Sequence, residues 1–142
     1  MDELVKSIYR AAEPFQPCKL FNGSETFEEM IRKFLTPQGI EFCTKHDFLS
    51  KAHLQAIKER VTPDTGVMID KGRISLCNPR KIVLVGDTDA DIEFDTLEYA
   101  CRVVLMKGAK ARITARGYSV VAIDQQDGCS CGIKAYDNAV VR

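Results

Sequence analysis

No stretch of this 142-residue sequence approaches the roughly 18 consecutive apolar residues that cross a bilayer as a helix, which excludes a hydrophobic transmembrane anchor within it. Neither sign of charge is in excess. Twenty Lys and Arg balance twenty Asp and Glu, so no global field draws the chain to nucleic acid or an anionic membrane, and neither is expected as a partner. The opening residues, "MDELVKSIYRAA", carry an acid at position 2 and no apolar core. No secretory signal is therefore expected, and the expected compartment is the cytoplasm.

Histidine is scarce. His46 and His53 lie seven residues apart, which is not the i, i+4 pair that a helical zinc site prefers, and residues 61–142 contain none. Also missing are a P-loop, a G-x-G-x-x-G after a strand and a G-x-S-x-G elbow. "VLVGDTDAD" has a superficial likeness to the strand-end aspartates of phosphatases, but no α/β alternation follows it. The six cysteines (Cys18, Cys43, Cys77, Cys101, Cys129, Cys131) are expected to be reduced thiols. Only Cys129 and Cys131 are close together, as C-x-C, without the second pair that zinc sites usually offer. No catalytic residue, cofactor or metal ligand is assigned.

What is present is patterning. Hydrophobic residues at 45% and charged residues at 28% describe an ordinary globular chain, long enough for one domain or two small modules. In the first sixty residues the period is helical. Asp2 can cap a helix over 3–12, with Leu4 and Ile8 on one face. "EPFQPCKLFNGS" breaks it through Pro14, Pro17 and Asn22-Gly23. Thr26 and Glu29 have the spacing of a capping box, followed by Phe27, Met30, Ile31, Phe34 and Leu35 on one face. "TPQG" at 36–39 reads as punctuation, and a third helix is expected from Asp47 or Ser50 to about Arg60.

From Gly66 the period changes to two. Residues 109, 111, 113, 115, 117, 119, 121 and 123 read Ala, Ala, Ile, Ala, Gly, Ser, Val, Ile, the alternation of strands with one buried face. Alignment on isoleucine gives four copies. One strand is centred on Ile74, Ile92, Ile113 and Ile133, a second on Ile82, Val103, Val121 and Val141, with an insertion at Asp95-Thr96-Leu97. Arg80 breaks the inward pattern of the first copy. Eight strands at a period near 20 point to a β-solenoid, in which each rung stacks on the last.

The expected fold is α+β: a helical N-terminal cap at 1–62 and a parallel β-solenoid of about four rungs, of either hand, at 66–142. An antiparallel meander or roll is the alternative.

Within this repeat lies "GDTDADIEFDTLE", residues 86–98. Its acids fall at positions 1, 3, 5, 9 and 12 counted from Asp87, nearly the spacing of a calcium-binding EF-hand loop. Position 6, however, is Ile92 where the sharp turn of that loop needs glycine. The preceding "KIVLV" reads as a strand rather than an entering helix. On the repeat the acids form one outward face, with Asp89 on Lys110, Asp91 on Arg112 and Asp95 on Arg116 of the next rung, and with Lys71 and Arg73 behind. This is a structural charge ladder rather than a metal site.

The helical first half, "TPQGIEFC" and the coils "GYSVV" and "DNAVV" together resemble a group of small uncharacterised gut-bacterial proteins, over residues 26–142. The resemblance implies a fold, and no activity or site residues come with it. Hexapeptide acyltransferases are enzymes built on β-solenoids. They show an [LIV]-G-x4 repeat and a histidine presented by the coil, and neither is found here. The expected function is a non-catalytic protein-binding or assembly module, with an acyltransferase-like or sugar-binding enzyme as the alternative. Val141 and Arg142 leave the last rung as an open strand edge. Association through it, with Tyr136, Asn138 and Val140 at the edge, makes a homodimer or a complex with another protein the expected assembly.

Overall fold

The structure is a computed structural model that describes residues 2–142; the side chain of Cys18 lies outside the described set. The chain divides into two compact units, residues 1–60 and 61–142.

The first unit is helical. α1 spans Glu3–Ala12, α2 Phe27–Phe34, α3 Pro37–Lys45 and α4 Lys51–Arg60. Two short 3-10 turns, Glu13–Phe15 and Pro17–Lys19, carry the chain through the proline-rich stretch. The Asp2 carboxylate accepts from the N–H groups of Leu4 and Val5, satisfying orphan donors at the start of α1. It also takes both arms of the Arg60 guanidinium, at 3.0 and 2.6 Å, tying the start of α1 to the end of α4. Arg60 holds the Asp2 carboxyl down at about 2, below its ordinary 3.8.

Thr26 and Glu29 form the capping box of α2. Val5, Ile8, Ala12, Met30, Ile31, Phe34, Leu54 and Ile57 are all buried. Phe21 joins them, packed edge-on to Tyr9 and tilted against Phe34. Burial of Glu25 works against its charge, but the Lys33 ammonium at 2.6 Å and the N–H groups of Asn22 and Gly23 outweigh it and leave the carboxyl lowered.

The segment that reads as punctuation at 36–39 instead starts α3. Thr36 caps it through the Gly39 N–H, and Pro37 occupies the first turn, where its missing N–H costs nothing. Gly39 is required by close approach: a Cβ there would lie 2.5 Å from the Phe34 Cα.

The second unit has nine strands: β1 Val67–Ile69, β2 Gly72–Cys77, β3 Lys81–Val85, β4 Thr88–Phe94, β5 Cys101–Met106, β6 Lys110–Ala115, β7 Val120–Gln125, β8 Ser130–Ala135 and β9 Val140–Val141. Odd-numbered strands form one sheet in the order β1-β3-β5-β7-β9, and even-numbered strands the other, β2-β4-β6-β8. Every pairing is parallel. This is a β-solenoid of about four turns with two sheets per turn, not a meander. An antiparallel meander would place consecutive strands side by side, whereas here they alternate between the sheets. β1, which the isoleucine alignment omits, adds a fifth strand to the first sheet.

The register corrects that alignment in two places. Leu76, not Ile74, sits beside Ile92, and Ile74 sits beside Ala90. In the other sheet Val103 pairs with Ile123, and Cys101 with Val121. The remaining matches, Ile92–Ile113–Ile133, Ile82–Val103 and Val121–Val141, are as the period gives them. A slip of one residue would turn every side chain to the wrong face, but a slip of two leaves each face unchanged. Residue type and alternation therefore cannot detect it.

The interior is formed by Ala90, Ile92, Phe94, Ala111, Ile113 and Ala115 on one side and Ile82, Leu84, Cys101, Val103, Leu105 and Val121 on the other. Each fully buried Ile, Leu, Val or Phe contributes about 1.5–3 kcal/mol relative to exposure.

Arg80 is exposed, with its guanidinium 4.4 Å from the centre of the Tyr99 ring, so it does not enter the core. Later coils close on two-residue turns: Ala109 donates to Met106, Ser119 to Arg116, Cys129 to Gln126 and Ala139 to Tyr136.

Candidate interaction surface

The acidic stretch of 86–98 is carried mainly by β4. Thr88, Ala90, Ile92 and Phe94 are buried, and Asp89, Asp91 and Glu93 occupy the alternate outward positions. Asp87 lies in the turn before the strand. Its N–H donates to the Asp70 carboxylate and its carbonyl accepts from Gly72. Glu98 falls in the corner loop after the strand.

Asp89 lies beside Lys110 and Asp91 beside Arg112. The charge contacts converge on one residue, since the Arg112 guanidinium reaches Asp91 at 2.5 Å and Asp89 at 2.9 Å. From the other side Arg73 approaches Asp91 at 3.3 Å. Arg112 holds the Asp91 carboxyl below its ordinary value, and Asp91 in turn raises the guanidinium.

Asp95 and Arg116 follow the Phe94–Ala115 pair in register, but their side chains turn to other partners. Asp95 is taken by Asn78, whose amide nitrogen donates to the carboxylate at 2.6 Å while its carbonyl oxygen accepts from the Asp95 N–H at 2.9 Å. Arg116 instead lies over the Tyr136 ring, 4.7 Å from its centre. The physical reason is the Asn78-Pro79 corner. Asn78 adopts a left-handed conformation with φ of 50°, tolerated by asparagine, and this turns its amide onto the end of β4. The Asn-Pro dipeptide is itself a turn signal and could have drawn attention to Asn78. Nothing in the alternation pointed to the double role of Arg112.

Among the described residues, no group of three or more His, Cys, Asp or Glu side chains is placed to hold a metal ion. Among the described residues no disulfide joins Cys43, Cys77, Cys101, Cys129 or Cys131. Burial pushes the thiols of Cys101 and Cys131 up, away from the reactive thiolate. His46 stacks on Phe15 at 4.6 Å. His53 Nε2 lies 2.9 Å from the Ser7 hydroxyl, the spacing of a nucleophile and its base. His53 Nδ1, however, is buried with no hydrogen-bond partner. An imidazole that accepts the serine proton must carry a proton on Nδ1, and burying that N–H without an acceptor is costly. The favoured tautomer has Nε2–H donating to Ser7, which leaves the hydroxyl inactive and makes the pair a contact between α1 and α4.

The surface that stands apart is the last rung. Ile92 and Ile113 are each 1% exposed, whereas Ile133, the next residue in the same ladder, is 50% exposed. The backbone shows why. Ser130, Tyr136, Asn138, Val140 and Arg142 all donate their N–H groups to the preceding rung. In a parallel ladder alternate residues direct their polar groups to opposite neighbours, so Cys131, Ile133, Ala135 and Val141 direct theirs outward along the stack.

Tyr136, Asn138 and Val140, named from the sequence as the edge, therefore have their backbone donors in use. Their side chains are all exposed and add to the surface. The residues that form the edge are Cys131, Ile133, Ala135 and Val141, which sequence periodicity marks as core.

No helix among the described residues is long and apolar enough to cross a membrane. No family model, no curated protein and no solved structure matches the chain.

Proposed function

We propose that this protein is a non-catalytic assembly module, in which the two-sheet solenoid associates with another protein surface through the edge of β8 and β9. The exposure of Ile133 carries this reading. A position that is core in two consecutive rungs presents half of an isoleucine, and an unsatisfied strand edge, to solvent. Native sheets normally blunt such an edge with charge, proline or a bulge. Across β8, "SCGIKA", the only charge is Lys134 and there is no proline.

The outward charges of β4 and β6 neutralise one another through Arg112, so the flank of the stack offers no strong field for nucleic acid or a charged substrate. Sedimentation velocity of the chain across a hundredfold range of concentration tests the reading. Species heavier than 15.9 kDa that grow with concentration and disappear in Ile133→Lys are expected. A monomer at every concentration contradicts self-assembly through this edge.

A further inference from the structure

We infer that the edge of β8 is closed by β8 of a second copy, antiparallel, about a two-fold axis at Ile133. This rests on the assembly reading above and adds the identity of the partner, the symmetry and the register.

The free backbone groups fix which residues can pair. Cys131, Ile133 and Ala135 direct their N–H and C=O groups to the edge, and in an antiparallel ladder residues exchanging both groups lie directly opposite one another. Only odd-numbered residues can therefore form the hydrogen-bonded pairs. Centring on Ile133 places Ile133 opposite Ile133 and Cys131 opposite Ala135, twice. Centring on Gly132 or Lys134 also pairs odd-numbered residues, but sets Ile133 opposite Cys131 in the first case and lysine opposite lysine in the second. Centring on Cys131 or Ala135 shifts the strands by four residues and loses half or more of the overlap of a six-residue strand.

The outward face supports the same register. Lys134, the only charge on β8, falls opposite Gly132 of the second copy rather than opposite another lysine. Gly132 sits at a depression of about 400 Å³ lined by Asp91, Arg112, Thr114, Ile133 and the chain's own Lys134 among others. A Cβ on Gly132 would meet only the Arg112 Cγ, at 3.8 Å. The aliphatic stem of Lys134 from the second copy has this space to lie in, with its ammonium free to reach water. Inward, small Cys131 meets small Ala135 while isoleucine meets isoleucine, which continues the ladder of Ile92, Ile113 and Ile133 across the axis. A two-fold contact uses the same patch twice and closes at two chains.

Cysteine cross-linking of the full chain tests the register. Residues in a hydrogen-bonded antiparallel pair have Cα atoms roughly 5.5 Å apart, inside the roughly 4.4–6.8 Å range of disulfides. With Cys129→Ser and Cys131→Ser as background, Ile133→Cys is expected to form a covalent dimer on mild oxidation at least tenfold faster than Lys134→Cys. Should Ile133→Cys weaken assembly, Ala135→Cys with native Cys131 retained provides the second readout, a 131–135 link between chains identified by peptide mass.

A mass that stops at two chains together with either link supports the proposal. Assemblies that grow beyond two, or dimers whose links lie elsewhere, overturn the two-fold register and leave the assembly reading standing. A monomer at all concentrations overturns both.

Discussion

Arg112 is the residue on which the charged face of the solenoid turns. Its guanidinium reaches Asp89 and Asp91 on the neighbouring strand, and Arg73 completes the arrangement from the rung before. Arg112→Gln is therefore expected to let the Asp91 carboxyl rise towards its ordinary value in an NMR titration; an unmoved midpoint would mean that Arg112 does not hold it. Calcium is expected to leave the melting temperature unchanged, because Asp89 and Asp91 already have a guanidinium and Asp95 an amide. A calcium-dependent rise that Asp89→Asn removes would contradict this.

In the helical unit, Asp2 caps α1 and pairs with Arg60. Its carboxyl is depressed, so its contribution is complete above the unfolded value near 4 and fades as pH falls through about 2. Asp2→Ala is expected to cost about 1 kcal/mol for the cap and to flatten the acid limb of the stability profile between those values. An unchanged limb in chemical denaturation would refute the pairing. The presence of a charged face was legible in the sequence, since acids and bases alternate with apolar residues on successive strands. The choice of partners was not. One arginine can span two carboxylates, and Asn78 reaches Asp95 only because its corner is left-handed.

At the scale of the element, strand and coil were readable, and register only in part. Period-two alternation defines the faces of β2 and β4, yet sliding β2 by two residues leaves both faces intact, so matching isoleucine to isoleucine misplaced Ile74. The structure sets Leu76 beside Ile92 and Ile74 beside Ala90. The same packing predicts a gradient along one ladder. Ile113→Ala is expected to cost about 2–5 kcal/mol, as for a fully buried isoleucine, and Ile133→Ala much less in dilute solution, where half of its surface is already wet. Equal costs in denaturant titrations would show that the last rung is packed like the others.

Helix α3 gives the complementary lesson. Thr36-Pro37 has the chemistry of a helix start as well as of a break, and what selects the start is the approach of α3 to the end of α2 at Gly39. Gly39→Ala is expected to destabilise the helical unit by more than about 1 kcal/mol, since the neighbouring atoms are backbone and cannot move aside cheaply. A neutral substitution in thermal melts would contradict that close approach.

At the scale of the molecule, a solenoid adds rungs by repeating one interface, and the face that would receive the next rung stays competent for pairing. Period and alternation made this architecture readable before any coordinates. The last rung was legible as an open edge with Tyr136, Asn138 and Val140 on it, whose side chains are exposed. Which backbone groups stay free was not legible, because the side a strand's polar groups face depends on its pairing partner. Ile133 and Lys134 separate the possibilities within two adjacent residues. The even-numbered positions of β8 direct their N–H groups back to β6, whereas Ile133 directs its N–H along the edge. Residue-resolved amide exchange at high protein concentration therefore tests the central claim most directly. The account predicts that the Ile133 amide is protected there nearly as well as Lys134, and that it loses this protection on dilution while Lys134 keeps its own. Exchange of Ile133 at the rate of an unstructured amide, at every concentration, would contradict it.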